Sequence, residues 1–146
     1  EHYWCQHHCG IWRSQDGAVS WQQIEPKDAQ GNPVSSFGFA VAVHPQAPNC
    51  AWFAPATSDE RRVPVDAALF VSRTRDGGKT FEVLRNGLPQ KNCYDLMFRH
   101  SLAVAADGQT LLMGSTTGGL WVSENAGDDW QEITHTLPPI YALGFA

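Results

Sequence analysis

The chain has 146 residues, is 42% hydrophobic and 17% charged, and carries six Trp and seven Phe, enough apolar and aromatic material for one packed domain and too much for a disordered segment. Its net charge is -5 and its ten basic residues are scattered, so it presents no footprint for a nucleic-acid backbone. No apolar run reaches the roughly 20 residues of a membrane helix, and Glu1–Gly10 does not read as a signal peptide, so the expectation is a soluble, cytosolic chain with no nucleic-acid or membrane partner.

In chain order, Tyr3–His7 and Ile11–Ser14 read as short strands, and a polar turn leads to a third at Trp21–Ile24. Phe39–Val43 is a run of small and apolar residues, the pattern of a strand buried on both faces, and Ala51–Ala54 follows it after a turn built on Pro45–Asn49. Val71–Thr74, a second polar turn and Phe81–Leu84 come next. Ser101–Ala105 and Thr110–Gly114 repeat the buried pair around Asp107–Gln109, and Leu120–Ser123 and Trp130–Ile133 flank a third polar turn. Tyr141–Phe145 has the composition of one more buried strand. By role these are three, four, four and one, or twelve strands in three sets of four, and no helical period competes with them.

The polar turns are versions of one motif. Ser14, Asp16, Ala18, Ser20 and Trp21 occupy the places of Thr74, Asp76, Gly78, Thr80 and Phe81, and of Ser123, Asn125, Gly127, Asp129 and Trp130. An Asp or Asn side chain accepts backbone N–H groups just downstream, and Gly takes the backbone angle that closes the hairpin. The Ser or Thr two places before adds a second local bond, while the aromatic five places after folds back over the turn. Such a turn needs no metal. Equivalent positions are 60 and 49 residues apart, near the roughly 40–50 residues of a propeller blade, so the predicted fold is an all-β propeller segment of three blades. Blade one covers residues 1–25 with an inner strand at 140–145, blade two 37–87 and blade three 100–138.

The second turn, Thr74-Arg75-Asp76-Gly77-Gly78-Lys79-Thr80-Phe81, carries the full Asp-box pattern; the first has Ala18 in the Gly place, and the third has Asn125 for Asp and Asp129 for Thr. On these residues the chain resembles the Asp-box, or bacterial-neuraminidase-repeat, family of β-propellers, which includes sialidase-like proteins and uncharacterised glycosyl hydrolase-related ones. His8-Cys9-Gly10 and Ser58–Arg62 are similar to that uncharacterised subgroup. The resemblance implies boxes between third and fourth strands, away from the ligand face, which makes the box residues structural.

Three blades are too few to surround an axis, since propellers have about four to eight. The first blade lacks an inner strand and the chain carries a spare one, Ile140–Gly144. We therefore expect a six-bladed homodimer with exchanged C-terminal strands, the alternative being a fragment of a longer propeller.

The face opposite the boxes collects the candidate ligand residues His7, His8, Arg61, Arg62 and Tyr94, with Lys91, Asn92, Arg99 and His100 nearby. Asp59 and Glu60 are the candidate acid or base beside the anion-binding guanidiniums of Arg61 and Arg62. A sialidase would need an arginine triad and a Tyr–Glu pair, which the chain does not display. Cys5, His7, His8 and Cys9 are zinc-type ligands, but in an extended strand His8 points away from Cys5 and His7, so only a turn gathers them. No metal or cofactor is therefore expected, and Cys50 and Cys93 are taken with Cys5 and Cys9 as reduced thiols. Three functional readings stand open: a non-catalytic module binding a glycan or small ligand, a sialidase-like glycoside hydrolase, and a scaffold for protein partners.

Overall fold

The computed structural model describes residues 1–146. Three antiparallel sheets follow one another along the chain. The first contains β1 (Tyr3–His7), β2 (Gly10–Ser14) and β3 (Gln22–Ile24); the second β4 (Gly38–Val43), β5 (Ala51–Pro55), β6 (Val71–Thr74) and β7 (Glu82–Leu84). The third contains β8 (Leu102–Val104), β9 (Leu111–Gly114), β10 (Leu120–Ser123) and β11 (Gln131–Thr134). Each strand pairs with its sequence neighbour, so every sheet is a meander, and the whole is the all-β propeller architecture with three blades. One 3-10 turn, Val65–Ala67, is the sole helical element, and no helix is long and apolar enough to cross a membrane.

The C-terminal segment departs from the expectation. Eleven strands form rather than twelve, and Ile140–Gly144 is not among them. It lies against its own chain, with Ile140 N–H donating to Ser115 O (2.9 Å), Leu143 N–H to His100 O (2.7 Å), and a single parallel bridge between His100 and Ala142. An inner strand draws most of its ladder from the second strand of its own blade, and here no such strand lies beside it.

Two apolar seams hold the blades together. The seam between the first two sheets packs Trp4, Ile11 and Ile24 against Ala51, Phe53 and Phe81. The other joins the second and third sheets through Trp52, Leu69 and Val71 with Leu111, Met113 and Trp121. Fully burying one such aliphatic side chain is worth about 1.5–3 kcal/mol. The box aromatics belong to these seams rather than merely shielding their own turns: Phe81 fills the seam with the preceding sheet, and Trp130 the next one along. Trp21 has no preceding sheet and is 42% exposed. With Cys5, His7 and Trp12 it lines a shallow hollow on the open side of the first sheet.

A polar lock crosses each seam. Trp4 pairs with Arg13 across β1 and β2, and Trp52 with Arg73 across β5 and β6. Arg13 Nη1 donates to Gly77 O in the second box (3.1 Å), and Arg73 Nη1 and Trp52 Nε1 both donate to Ala126 O in the third (2.7 Å each). The arginine three places before each box acid thus reaches the next box. The third sheet has Leu112 and Val122 at this pair of positions.

Candidate functional site

Because the strands alternate in direction, the box turns gather at one end of the blades. The β1–β2, β5–β6 and β9–β10 turns gather at the other, together with the connections between sheets. At the box end, Asp16 Oδ1 accepts Ser14 Oγ (2.8 Å) and Ser20 N (2.9 Å), and its Oδ2 accepts Ser20 Oγ (2.6 Å). These bonds, those from Ser20 first, hold the Asp16 carboxyl down at about 2. Asp76 repeats the pattern with Thr74 and Thr80, and although burial pushes its carboxyl up, the hydrogen bonds prevail and hold it down. In the third box Asn125 Nδ2 donates to Asp129 Oδ2 (2.9 Å), where the second box has Thr80 Oγ1 donating to Asp76 Oδ2 (2.7 Å). Gly78 N–H donates to Thr74 Oγ1 (2.9 Å), and Gly127 N–H to Ser123 Oγ (2.8 Å). Every polar side chain of the motif is thereby engaged within its own turn.

The opposite end offers two clusters. In the first, the guanidiniums of Arg62 and Arg99 lie over the Phe39 ring at 5.3 and 5.5 Å, and Phe39 also meets Phe37 and Phe98. Phe98 stacks on Tyr141, which is 61% exposed. Phe39 belongs to the beginning of β4, which packs beside β8, so the cluster stands where the inner strands begin. Arg62 is ion-paired with Asp59, Glu60 reaches Ser58 Oγ at 3.5 Å, and Arg61 and Arg99 make no ion pair. Phe39, Phe98 and Tyr141 went unrecognised as site residues in the sequence because each reads equally well as core.

The second cluster centres on Asp95, the one buried carboxylate of the chain. Its Oδ1 accepts the hydroxyls of Ser115 (2.7 Å) and Thr117 and lies 3.2 Å from His135 Nε2, while Oδ2 accepts the Cys93 thiol (3.0 Å). Burial pushes Asp95 up, but the bonds from Thr117, Cys93 and Ser115 and the nearby His135 outweigh it, so the carboxyl stays below its usual range. Burial, helped by Asp95, pushes the Cys93 thiol up to about 12. Apart from Cys93, two residues before it, the partners of Asp95 lie 20 to 40 residues away in sequence, and no local motif announces them.

Of the sequence candidates, His7 and His8 come together, with ring centroids 5.4 Å apart in the β1–β2 turn. Arg61 and Arg62 share the β5–β6 connection. No hydrogen bond, ion pair or ring contact joins those two groups to each other, or either of them to Tyr94, which is 58% exposed.

No protein-family model matches the sequence, and no curated protein sequence matches it. Solved structures do. A GH74 enzyme of Niastella koreensis matches 92% of this chain with a TM-score of 0.66 and 19% identity, over 20% of its own length. The GH74 xyloglucanase of Xanthomonas campestris matches 86% with a TM-score of 0.61 and 27% identity, over 18% of its length. YCF48 bound to D1 peptide matches 96% with a TM-score of 0.60 and 13% identity, over 40% of its length. The chain thus spans about a fifth of the two GH74 enzymes and two fifths of YCF48, and the likeness is to a segment of a longer propeller.

Proposed function

We propose that this chain is an arc of an Asp-box β-propeller that binds a glycan, or a small ligand of similar chemistry, at the end away from the boxes, without turning it over. The observation that carries the reading is the exposed Tyr141 ring stacked on half-buried Phe98, with the exposed Arg62 and Arg99 guanidiniums held beside it over the buried Phe39 ring. Flat aromatic surface takes the apolar face of a sugar ring, and guanidiniums donate to its hydroxyl or carboxylate oxygens. In this reading a second copy closes the ring. It docks on the open side of the first sheet beside Trp21, with its 140–144 segment along the unpaired edge of β1.

Catalysis is the second reading, favoured by the likeness to a xyloglucanase at 27% identity. Glycoside hydrolysis uses two facing carboxylates. Asp59 is instead paired with Arg62, and Glu60 meets a serine rather than another acid. The YCF48–peptide likeness supports the scaffold reading in the same limited way.

A glycan array, run with light scattering to give the assembly state, tests the proposal. Retention of a defined glycan class, lost in Arg99→Ala and Tyr141→Ala, supports it. Turnover of chromogenic glycosides abolished by Glu60→Gln replaces it with the enzyme reading, and the absence of any glycan signal refutes it.

A further inference from the structure

We infer that the β1–β2 turn is a binding site for one borderline-soft divalent cation, best matched by Zn2+, with His7, His8 and Cys9 as its protein ligands. Across the whole chain this is the one group of three His, Cys, Asp or Glu residues whose ligand atoms all lie within 4.8 Å of one another. The objection raised by the sequence was that successive residues of an extended strand point to opposite faces. The fold removes it. His7 and Gly10 are paired residues of β1 and β2, so His8 and Cys9 form the two-residue hairpin tip, and the chain reverses within the ligand set.

The tip is fixed from two directions before any ion arrives. Cys9 N–H donates to His7 Nδ1 (3.0 Å), and Gln23 Nε2 donates to Cys9 O (3.1 Å) from β3. His8 and Cys9 are exposed and His7 is half-buried, which leaves room for water as a fourth ligand, the arrangement of a three-ligand zinc site with an open position. Two imidazoles and a thiolate, with no carboxylate among them, select Zn2+ over Mg2+ or Ca2+, which require oxygen ligands. Cys5, two residues before His7 on β1, is outside the set.

Binding balances as follows. The Cys9 S–H bond breaks and its proton goes to solvent, one metal–sulfur and two metal–nitrogen bonds form, and no electrons change hands. Neutral His7 ligates through Nδ1, or through Nε2 with its proton moved to Nδ1, and in either case the hydrogen bond that Nδ1 accepts from Cys9 N–H is given up. Zinc binding therefore releases one proton per site, and affinity falls as pH falls.

The test uses the full chain, free of any purification tag and stripped with chelator, titrated with Zn2+ by calorimetry and with Co2+ by absorbance. The expected result is one equivalent bound and a near-ultraviolet thiolate-to-Co2+ charge-transfer band. Cys9→Ser removes the band, Cys9→Ser and His8→Gln each weaken Zn2+ binding about tenfold or more, and Cys5→Ser changes neither. Zn2+ also slows alkylation of Cys9 in the unsubstituted protein, a readout that requires no variant to fold. The inference is overturned by absence of saturable binding, by a band that survives Cys9→Ser or vanishes in Cys5→Ser, or by alkylation of Cys9 at the same rate with and without Zn2+.

Discussion

Replacing Arg73 by methionine removes the charge at the centre of the seam between the second and third sheets while keeping most of the apolar stem. The Arg73 side chain is 3% exposed; its Nε lies 2.6 Å from Glu82 Oε2, its Nη2 2.7 Å from Asp128 Oδ1, and its Nη1 donates to Ala126 O at 2.7 Å. Breaking a fully buried ion pair costs about 3–5 kcal/mol. Both carboxylates here are half-exposed and rehydrate once the guanidinium is gone, and Ala126 O keeps its bond from Trp52 Nε1. Discounted for that screening, the expected loss is about 2–3 kcal/mol, a fall in Tm of about 5–10 °C for a chain of this size. The Glu82 carboxyl is held below its ordinary value of 4.5, first by the bond from Arg73. A depressed carboxylate contributes its stability in full above that ordinary value and loses it as pH falls through the lower folded value. The deficit of Arg73→Met is therefore full at neutral pH and shrinks below about pH 4. Urea unfolding followed by Trp fluorescence measures it, with the exposed Arg75→Met as control. A loss within about 0.5 kcal/mol of parent, or one no larger than that of Arg75→Met, refutes the reasoning.

The same physics makes further predictions. Iodoacetamide at neutral pH labels exposed Cys9 in the native protein and reaches Cys93 only on unfolding, since burial beside Asp95 pushes that thiol up to about 12; rapid native labelling of Cys93 contradicts this. Asp95→Asn replaces one of the two accepting oxygens with an NH2 that faces either the Cys93 thiol or the Ser115 and Thr117 hydroxyls, so bonds on that side are lost or must reverse, costing about 2–3 kcal/mol by chemical denaturation. Because Asp95 is held below its ordinary 3.8, its contribution is complete above that pH and is lost as pH falls through the lower folded value, so the parent's stability falls more steeply than the variant's as pH drops below about 4. Gly87→Ala drives a Cβ into the Trp130 carbonyl at a residue with φ of +78° and is expected to cost about 2–4 kcal/mol; a variant as stable as parent by thermal scan shows that the loop yields instead.

The blades were legible because each is written locally. Strand, box and strand lie within about 15 residues of one another, and the box chemistry recurs at Asp16, Asp76 and Asn125 with its hydrogen-bonding partners two to four residues away. What joins the blades was not legible, because those partners are distant: Arg73 meets Ala126, Asp95 meets Ser115 and His135, and Arg62 and Arg99 converge on Phe39. One signal was available and passed over. Arg13 and Arg73 stand at the same offset before their boxes, a repeat that the register turns into the lock across each seam. The C-terminal segment has the composition of an inner strand, but composition does not name its ladder partner, and within the single chain it makes only one bridge.

The third box also constrains how its sequence can drift. Amide and carboxylate there have exchanged the donor and acceptor duties held by hydroxyl and carboxylate in the second. Converting Asn125 to Asp alone would confront two anions across one hairpin, whereas converting Asp129 to Thr alone leaves an amide facing a hydroxyl that accepts it. A lineage moving between the two versions avoids that repulsion by passing through the neutral Asn–Thr pair and meets it by passing through the Asp–Asp pair.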